Sequence, residues 1–98
     1  MSKQYHVYIM TNRKDGTLYI GVSGELLDRV GQHRSGSITG FTKKYNLTRL
    51  VYFEAYDDPE NAILREKRMK KWNRAWKVDL IERKNPDWDD LYPNLVSS

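Results

Sequence analysis

The chain has no cysteine in its 98 residues, so neither a disulfide nor a thiolate metal site can brace it, and the fold must rest on packing. No stretch approaches ~18 consecutive apolar residues, and the opening MSKQYHV holds no apolar run long enough for a signal peptide. A cytoplasmic location is therefore the expectation. Internal repeats, low-complexity tracts and an obvious linker are also missing. No serine or cysteine nucleophile has a placed base, which argues against acyl transfer. No glycine-rich loop of the nucleotide-binding kind is present.

What remains is a chain that is 39% apolar, enough for one modest core and one domain spanning residues 1–98. Its net charge of +4, from 17 Lys+Arg against 13 Asp+Glu, is unevenly spread. Arg65, Lys67, Arg68, Lys70, Lys71, Arg74 and Lys77 form a basic block interrupted only by Glu66, whereas NPDWDDLY near the C-terminus is acidic. Such a block is either a solvated helix face or the footprint of a polyanionic partner.

Tyr5–Thr11 and Thr17–Val22 read as strands joined at Asp15-Gly16, a strong hairpin signal. Ser23 is placed to cap a helix over Glu25–Arg34, in which Gly31 costs ~1 kcal/mol relative to alanine. Residues 35–45 read as a polar loop and Leu50–Tyr56 as a third strand. Asp57 as cap, Pro59 and Glu60 then predict a helix start, with the helix running to about Trp72. A last helix covers Arg74–Lys84 and stops at Asn85-Pro86. The expected fold is α+β: a small, mainly antiparallel three-stranded sheet flanked by helices, in the order β-β-α-β-α-α.

With Asp15 and Gly16 as the central turn residues, facing positions in the hairpin sum to 31. Val7, Ile9, Leu18, Ile20 and Val22 then share an aliphatic core face, while His6, Tyr8, Met10, Tyr19, Gly21 and Ser23 share the other. Parity puts both tyrosines on that second face, with Gly21 leaving room for a close approach. This register sets them about 13 Å apart along the strands, and a bulge or longer loop would bring them nearer. A covering helix would make them ordinary packing residues.

Arg29 and His33 lie four apart on one side of the first helix. Arg29 either reaches the tyrosine face or pairs with Glu25, and His33 is either a site residue or a favourable last-turn group. Glu66 falls within about 60° of Ala62, Ile63, Met69 and Asn73 on a helical wheel, inside the stripe that should face the core. A carboxylate there needs a partner. Lys70 is one, and a Mg²⁺ ion, which is often held by one or two carboxylates, is another. Two phenols, a guanidinium, an imidazole and a carboxylate suit phosphodiester chemistry. A metal on Glu66 would polarise the phosphate, Arg29 would grip it with two donors, and a tyrosine would orient or deprotonate water.

These residues carry a resemblance. HVY at 6–8, LYIG at 18–21, Arg29, His33 and Glu66 within AILREKRMKKW resemble the GIY-YIG nuclease domain. Through GFTKKYNLTRLVYFE, REKRMKKWNRAWKVDLI and NPDWDDLY the whole chain resembles the small stand-alone bacterial GIY-YIG proteins. The resemblance implies that Tyr8 and Tyr19 are the motif tyrosines facing the scissile phosphate, Arg29 the catalytic arginine and Glu66 the ligand of Mg²⁺ or Mn²⁺. His6 stands in place of the first motif's glycine, and Val22 where excision-repair relatives have lysine, so His33 or the phenols would serve as base. Asn73 and Asn85 are both candidates for the family's late asparagine.

The resulting expectation is a metal-dependent DNA endonuclease whose DNA contacts come from Lys67, Arg68, Lys70, Lys71, Arg74 and Lys77. The alternatives are a binding module of the same fold with little catalysis, and a protein-interaction domain using Trp72, Trp76 and Trp88.

Overall fold

Strands β1 (Tyr5–Thr11) and β2 (Leu18–Ser23) form the expected antiparallel hairpin. Strand β3 (Arg49–Tyr56) pairs antiparallel with the other side of β1, giving the order β2-β1-β3. The helices are α1 (Leu26–Ser35), α2 (Phe41–Lys44), α3 (Pro59–Lys71), α4 (Arg74–Lys84) and α5 (Tyr92–Ser97). The computed structural model describes residues 3–38 and 40–97. The predicted class and the order of the major elements hold. Two short helices are additional: α2 lies within the predicted loop, and α5 follows the acidic segment.

The hairpin register differs from expectation by two residues. Tyr8 faces Gly21 and Met10 faces Tyr19, so facing positions sum to 29 rather than 31. The cause is a loop of residues 12–17, longer than two residues. Asp15 takes a left-handed φ of 60°, Gly16 N–H donates to the Arg13 carbonyl, and Asn12 Oδ1 accepts from Thr17 N–H. Arg74, from α4, donates to the Asp15 and Gly16 carbonyls at 2.9 and 2.7 Å, fixing the loop from outside. The slip preserves parity, so the predicted faces survive while the tyrosines move to about 7 Å apart along the strands.

Helix starts were also adjusted by local hydrogen bonding. Ser23 Oγ accepts from Glu25 N–H before α1 begins, and no side chain caps α1 itself. For α3 the cap is Asp58, not Asp57: its carboxylate accepts from Asn61 N–H, and Pro59 occupies the first turn. That choice places the proline where its missing N–H costs nothing. Asn73 lies outside α3 and caps α4 by accepting from Trp76 N–H.

Both faces of the sheet are covered. On one, Val7, Ile9 and Ile20 pack with Ala62 and Met69 of α3, Ile81 of α4 and Trp88. On the other, Tyr8 and Met10 pack with Leu26 and Val30 of α1, Leu47 and Leu50, flanked by Tyr92 and Leu95. Pairing of Ile9 with Tyr52 and of Met10 with Leu50 leaves Val51 as an extra residue, a bulge that turns the successive Val51 and Tyr52 into the same core. The acidic segment closes the outer edge of β3: Asp90 Oδ1 accepts from Leu50 N–H, Leu91 N–H donates to the Leu50 carbonyl, and Asn85 Nδ2 donates to the Val51 carbonyl. Edge groups that would otherwise invite another strand are thereby satisfied. Trp88, read as a surface aromatic, is fully buried and donates from Nε1 to Glu82. No described helix is long and apolar enough to cross a membrane.

Glu54 on β3 gathers three donors: Tyr52 Oη, Tyr56 Oη at 2.8 Å and Arg65 Nε at 2.7 Å. The guanidinium of Arg65 also lies 4.9 Å from the Trp72 ring centre. This hub ties α3 to the sheet one residue before Glu66. Burial pushes the Glu54 carboxyl up, but the donors outweigh it and hold the group below its ordinary value. A lowered folded-state value stabilises above the unfolded value, and that stability is lost as pH falls through the folded one. Unfolding titrations should therefore lose stability below about pH 4.5, a loss that E54Q should lack over the same range. R65M should lower unfolding free energy by about 1.5–3 kcal/mol at pH 7, measured by urea denaturation.

Candidate active site

The observed register brings the hairpin tyrosines together. Their ring centres are 6.4 Å apart, and each lies near the His33 imidazole, at 5.9 Å for Tyr8 and 5.4 Å for Tyr19. Gly21 is what lets Tyr8 lie there. A Cβ at Gly21 would stand 2.5 Å from the Tyr8 ring carbon and hydroxyl and 3.0 Å from Tyr19. The phenol thus reaches across β2 over a residue with no side chain, and it is 1% exposed.

His33 lies in the last turn of α1, as one reading expected, but it is 3% exposed rather than solvated. Its Nε2 lies 3.0 Å from Tyr8 Oη and its Nδ1 3.0 Å from Thr42 Oγ1. Burial, then the nearby Arg29 charge, pulls its pKa below the ordinary histidine value. The imidazole is therefore neutral at pH 7. Arg29 projects to the same place. It does not pair with Glu25, whose carboxylate instead meets Lys3, and it donates to Gln32 Oε1 over a long 3.4 Å. Its guanidinium lies near enough to the Tyr8 phenol to oppose the upward push of burial on that group's pKa.

Glu66 completes the group. Its side chain is 13% exposed, and it meets Lys70 Nζ at 3.0 Å. Ala62 and Met69 are buried beside it as predicted, but Ile63 is 41% exposed, so the apolar stripe is narrower than the wheel suggested. Burial, then Tyr19, pushes the Tyr8 phenol up to about 12, with Arg29 opposing and Glu66 adding to the rise. Of the other four predicted residues, His33 touches the Tyr8 hydroxyl, and Tyr19, Arg29 and Glu66 influence it electrostatically. Among the described residues no group of three or more His, Asp or Glu converges as a metal cage. A single carboxylate fits Mg²⁺, which keeps several waters and takes further oxygens from a phosphate. Lys70, half exposed, can leave such a carboxylate at little cost.

A cleft of about 240 Å³ opens beside Tyr19, lined by Leu18, Ile20, Phe41, Lys70 and Lys77. A larger concavity of about 610 Å³, lined in part by His6, Gly24, Asp28 and Phe53, contains none of the five residues. The cleft is the better candidate because Tyr19 and two cations line it. His6 turns its ring edge to Phe53, away from this cluster, and its Nδ1 is buried without a partner among the described residues. Val22 packs on the aliphatic face. Asn85 is committed to Val51 and Asp89, and Asn73 to its helix cap. Thr42 and Phe41 were not visible as site residues because α2 reads as loop. Phe41 extends the rings outward, stacking on Tyr19 at 6.3 Å and meeting Tyr45 at 4.7 Å.

The GIY-YIG catalytic domain profile matches residues 4–79. The chain belongs to the GIY-YIG family. This is a nuclease family, and its small members include proteins similar to this chain along most of their length. A UPF0213 protein of Syntrophus aciditrophicus is 38% identical over 88 residues, covering 89% of this chain and 98% of that one. UPF0213 protein SSP2268 of Staphylococcus saprophyticus is 36% identical over 81 residues, 83% of this chain and 96% of its own. The solution NMR structure of the UPF0213 protein BH0048 from Bacillus halodurans superposes with a TM-score of 0.56 at 29% identity, covering 89% of this chain and 92% of that one. In this GIY-YIG chain the glycine of LYIG has a visible purpose, since it makes room for the tyrosine of the other motif.

Gly21→Ala should therefore push Tyr8 off His33. Overpacking of this kind costs about 1–3 kcal/mol. Denaturation should show that loss while circular dichroism at 25 °C retains the native spectrum, and the ring signals of His33 should shift.

Proposed function

We propose that this GIY-YIG chain is a metal-dependent endonuclease that hydrolyses DNA phosphodiester bonds, acting as one domain and working in the cytoplasm. The observation that carries this reading is the buried Tyr8–His33 hydrogen bond, on which Arg29, Tyr19 and Glu66 all act. Ionising a phenol with a pKa near 12 costs on the order of 7 kcal/mol at pH 7. A standing phenolate is thus disfavoured as base, and Tyr8 hands its proton on as it receives one.

His33 is neutral and stands in hydrogen-bond contact, so its Nε2 takes the phenolic proton while the phenol oxygen takes one from water. The water oxygen bonds to phosphorus, and the bond to the leaving nucleotide's oxygen breaks, its electron pair staying on that oxygen, which takes a proton from solvent. Arg29 binds a non-bridging oxygen with its two-pronged donor set. Tyr19 lines the same cleft and orients the water or the phosphate. A divalent ion held by Glu66 would supply the remaining charge neutralisation. Lys70 and Lys77 flank the cleft, and Lys67, Arg68 and Lys71 extend the positive surface along α3. Arg74 is partly committed to the hairpin loop.

Single-turnover cleavage of DNA with Mg²⁺ tests this. E66Q should abolish cleavage and keep the fold. Y8F should lower the rate by about 10²–10⁴-fold, the worth of general-base help. Binding without cleavage in the parent protein would instead support a binding module. The rate should be flat above pH 6.5 and fall at lower pH with a midpoint below 6.5, because the active imidazole is neutral and its pKa is lowered. Log affinity for duplex DNA should decline linearly with log salt, and K77A should shallow that slope by about one unit.

A further inference from the structure

Thr42 has no role in the proton path just described, yet it is 3% exposed and its hydroxyl lies 3.0 Å from His33 Nδ1. A neutral imidazole carries one proton, and which nitrogen holds it depends on the partner of the other. Tyr8 and Thr42 both offer hydroxyls, which donate or accept, so two arrangements are open to the His33 ring. In one, Nδ1–H donates to Thr42 and Nε2 accepts from Tyr8. In the other, Thr42 donates to Nδ1 and Nε2–H donates to the phenol.

The proton path decides between them. To take the phenolic proton, Nε2 must be the ring's unprotonated nitrogen, and it stands 3.0 Å from Tyr8 Oη. The ring proton is then on Nδ1, and Thr42 Oγ1, 3.0 Å away, is its acceptor.

We propose that Thr42 is a positioning residue that accepts the Nδ1 proton of His33, fixing the tautomer and ring orientation in which Nε2 faces Tyr8 as an acceptor. α2 is folded so as to hold it there: the Thr42 carbonyl accepts from Leu47 N–H at 2.8 Å, and Leu47 is fully buried in the core that contains Tyr8. When Nε2 takes the phenolic proton, the Tyr8 O–H bond breaks as the N–H bond forms. The imidazolium that results still donates from Nδ1 to Thr42. The assignment rests on the proton path of the nuclease reading.

The test is ¹⁵N NMR of the His33 ring at pH 7.5 on the intact chain, combined with single-turnover DNA cleavage. The parent and Thr42→Ser should both show a protonated Nδ1 and an unprotonated Nε2. Thr42→Val keeps the shape and removes the acceptor, so it should move the proton toward Nε2 and slow cleavage by about 10–100-fold, with DNA affinity unchanged. Thr42→Ala is read in the same way should valine fail to fold. A parent ring protonated on Nε2, or a valine and an alanine variant that both retain the Nδ1 proton, would overturn the proposal. A tautomer shift without loss of rate would leave Thr42 as the positioning residue and sink the proton path through His33 instead.

Discussion

A phenol laid across a glycine is the contact on which the rest of this molecule's chemistry depends. Tyr8 extends from the central strand over Gly21 of the edge strand, and no other residue would leave it the space. From there its hydroxyl meets His33 on α1, and it responds to Arg29 one helical turn earlier and to Glu66 from α3. Groups from helices on opposite faces of the sheet thus bear on one oxygen, because that oxygen stands over a glycine of the edge strand. Burial makes the phenol a poor acid, and the same burial makes His33 a neutral acceptor. The two shifts are complementary, and under the proposed reading the pair forms a path for a proton.

The scaffold around this contact is small and is fixed at its margins by polar devices. Glu54 binds Tyr52, Tyr56 and Arg65 and so sets the position of α3 just before Glu66. Arg34 pairs with Asp90, whose other oxygen accepts from Leu50 N–H, so the acidic segment is bound to both α1 and the edge of β3. Trp88 adopts a left-handed φ of 57° there and is held by its N–H bond to the Asn85 carbonyl. The acidic stretch is therefore a structural clasp on the far edge, and the sheet's electropositive cleft lies at the other.

Some of this was legible in order of residues. The three strands, three main helices and two faces of the hairpin follow from alternation, turn residues and helix starts, which are local properties. Arg29, His33 and Glu66 stood out as polar groups where packing should prevail. The register was not legible, because Asn12 closes the loop by a side-chain bond that substitutes for a tight turn. Helix α2 was not either: its four residues carry too short a pattern, and Thr42 is held by Leu47 packing into a core that only exists once the sheet is covered.

The sequence alone thus determined which side of each strand faces which layer, since a period of two survives any even slip in register. It also determined the set of chemical groups available, and the need for a partner at Glu66. Tertiary structure decided that the two tyrosines lie close rather than about 13 Å apart along the strands, that Lys70 is the partner Glu66 has found, and that a threonine completes the histidine's bonding. Those outcomes depend on distances between segments far apart in the chain, which are fixed by how a long loop closes and how buried polar atoms satisfy one another.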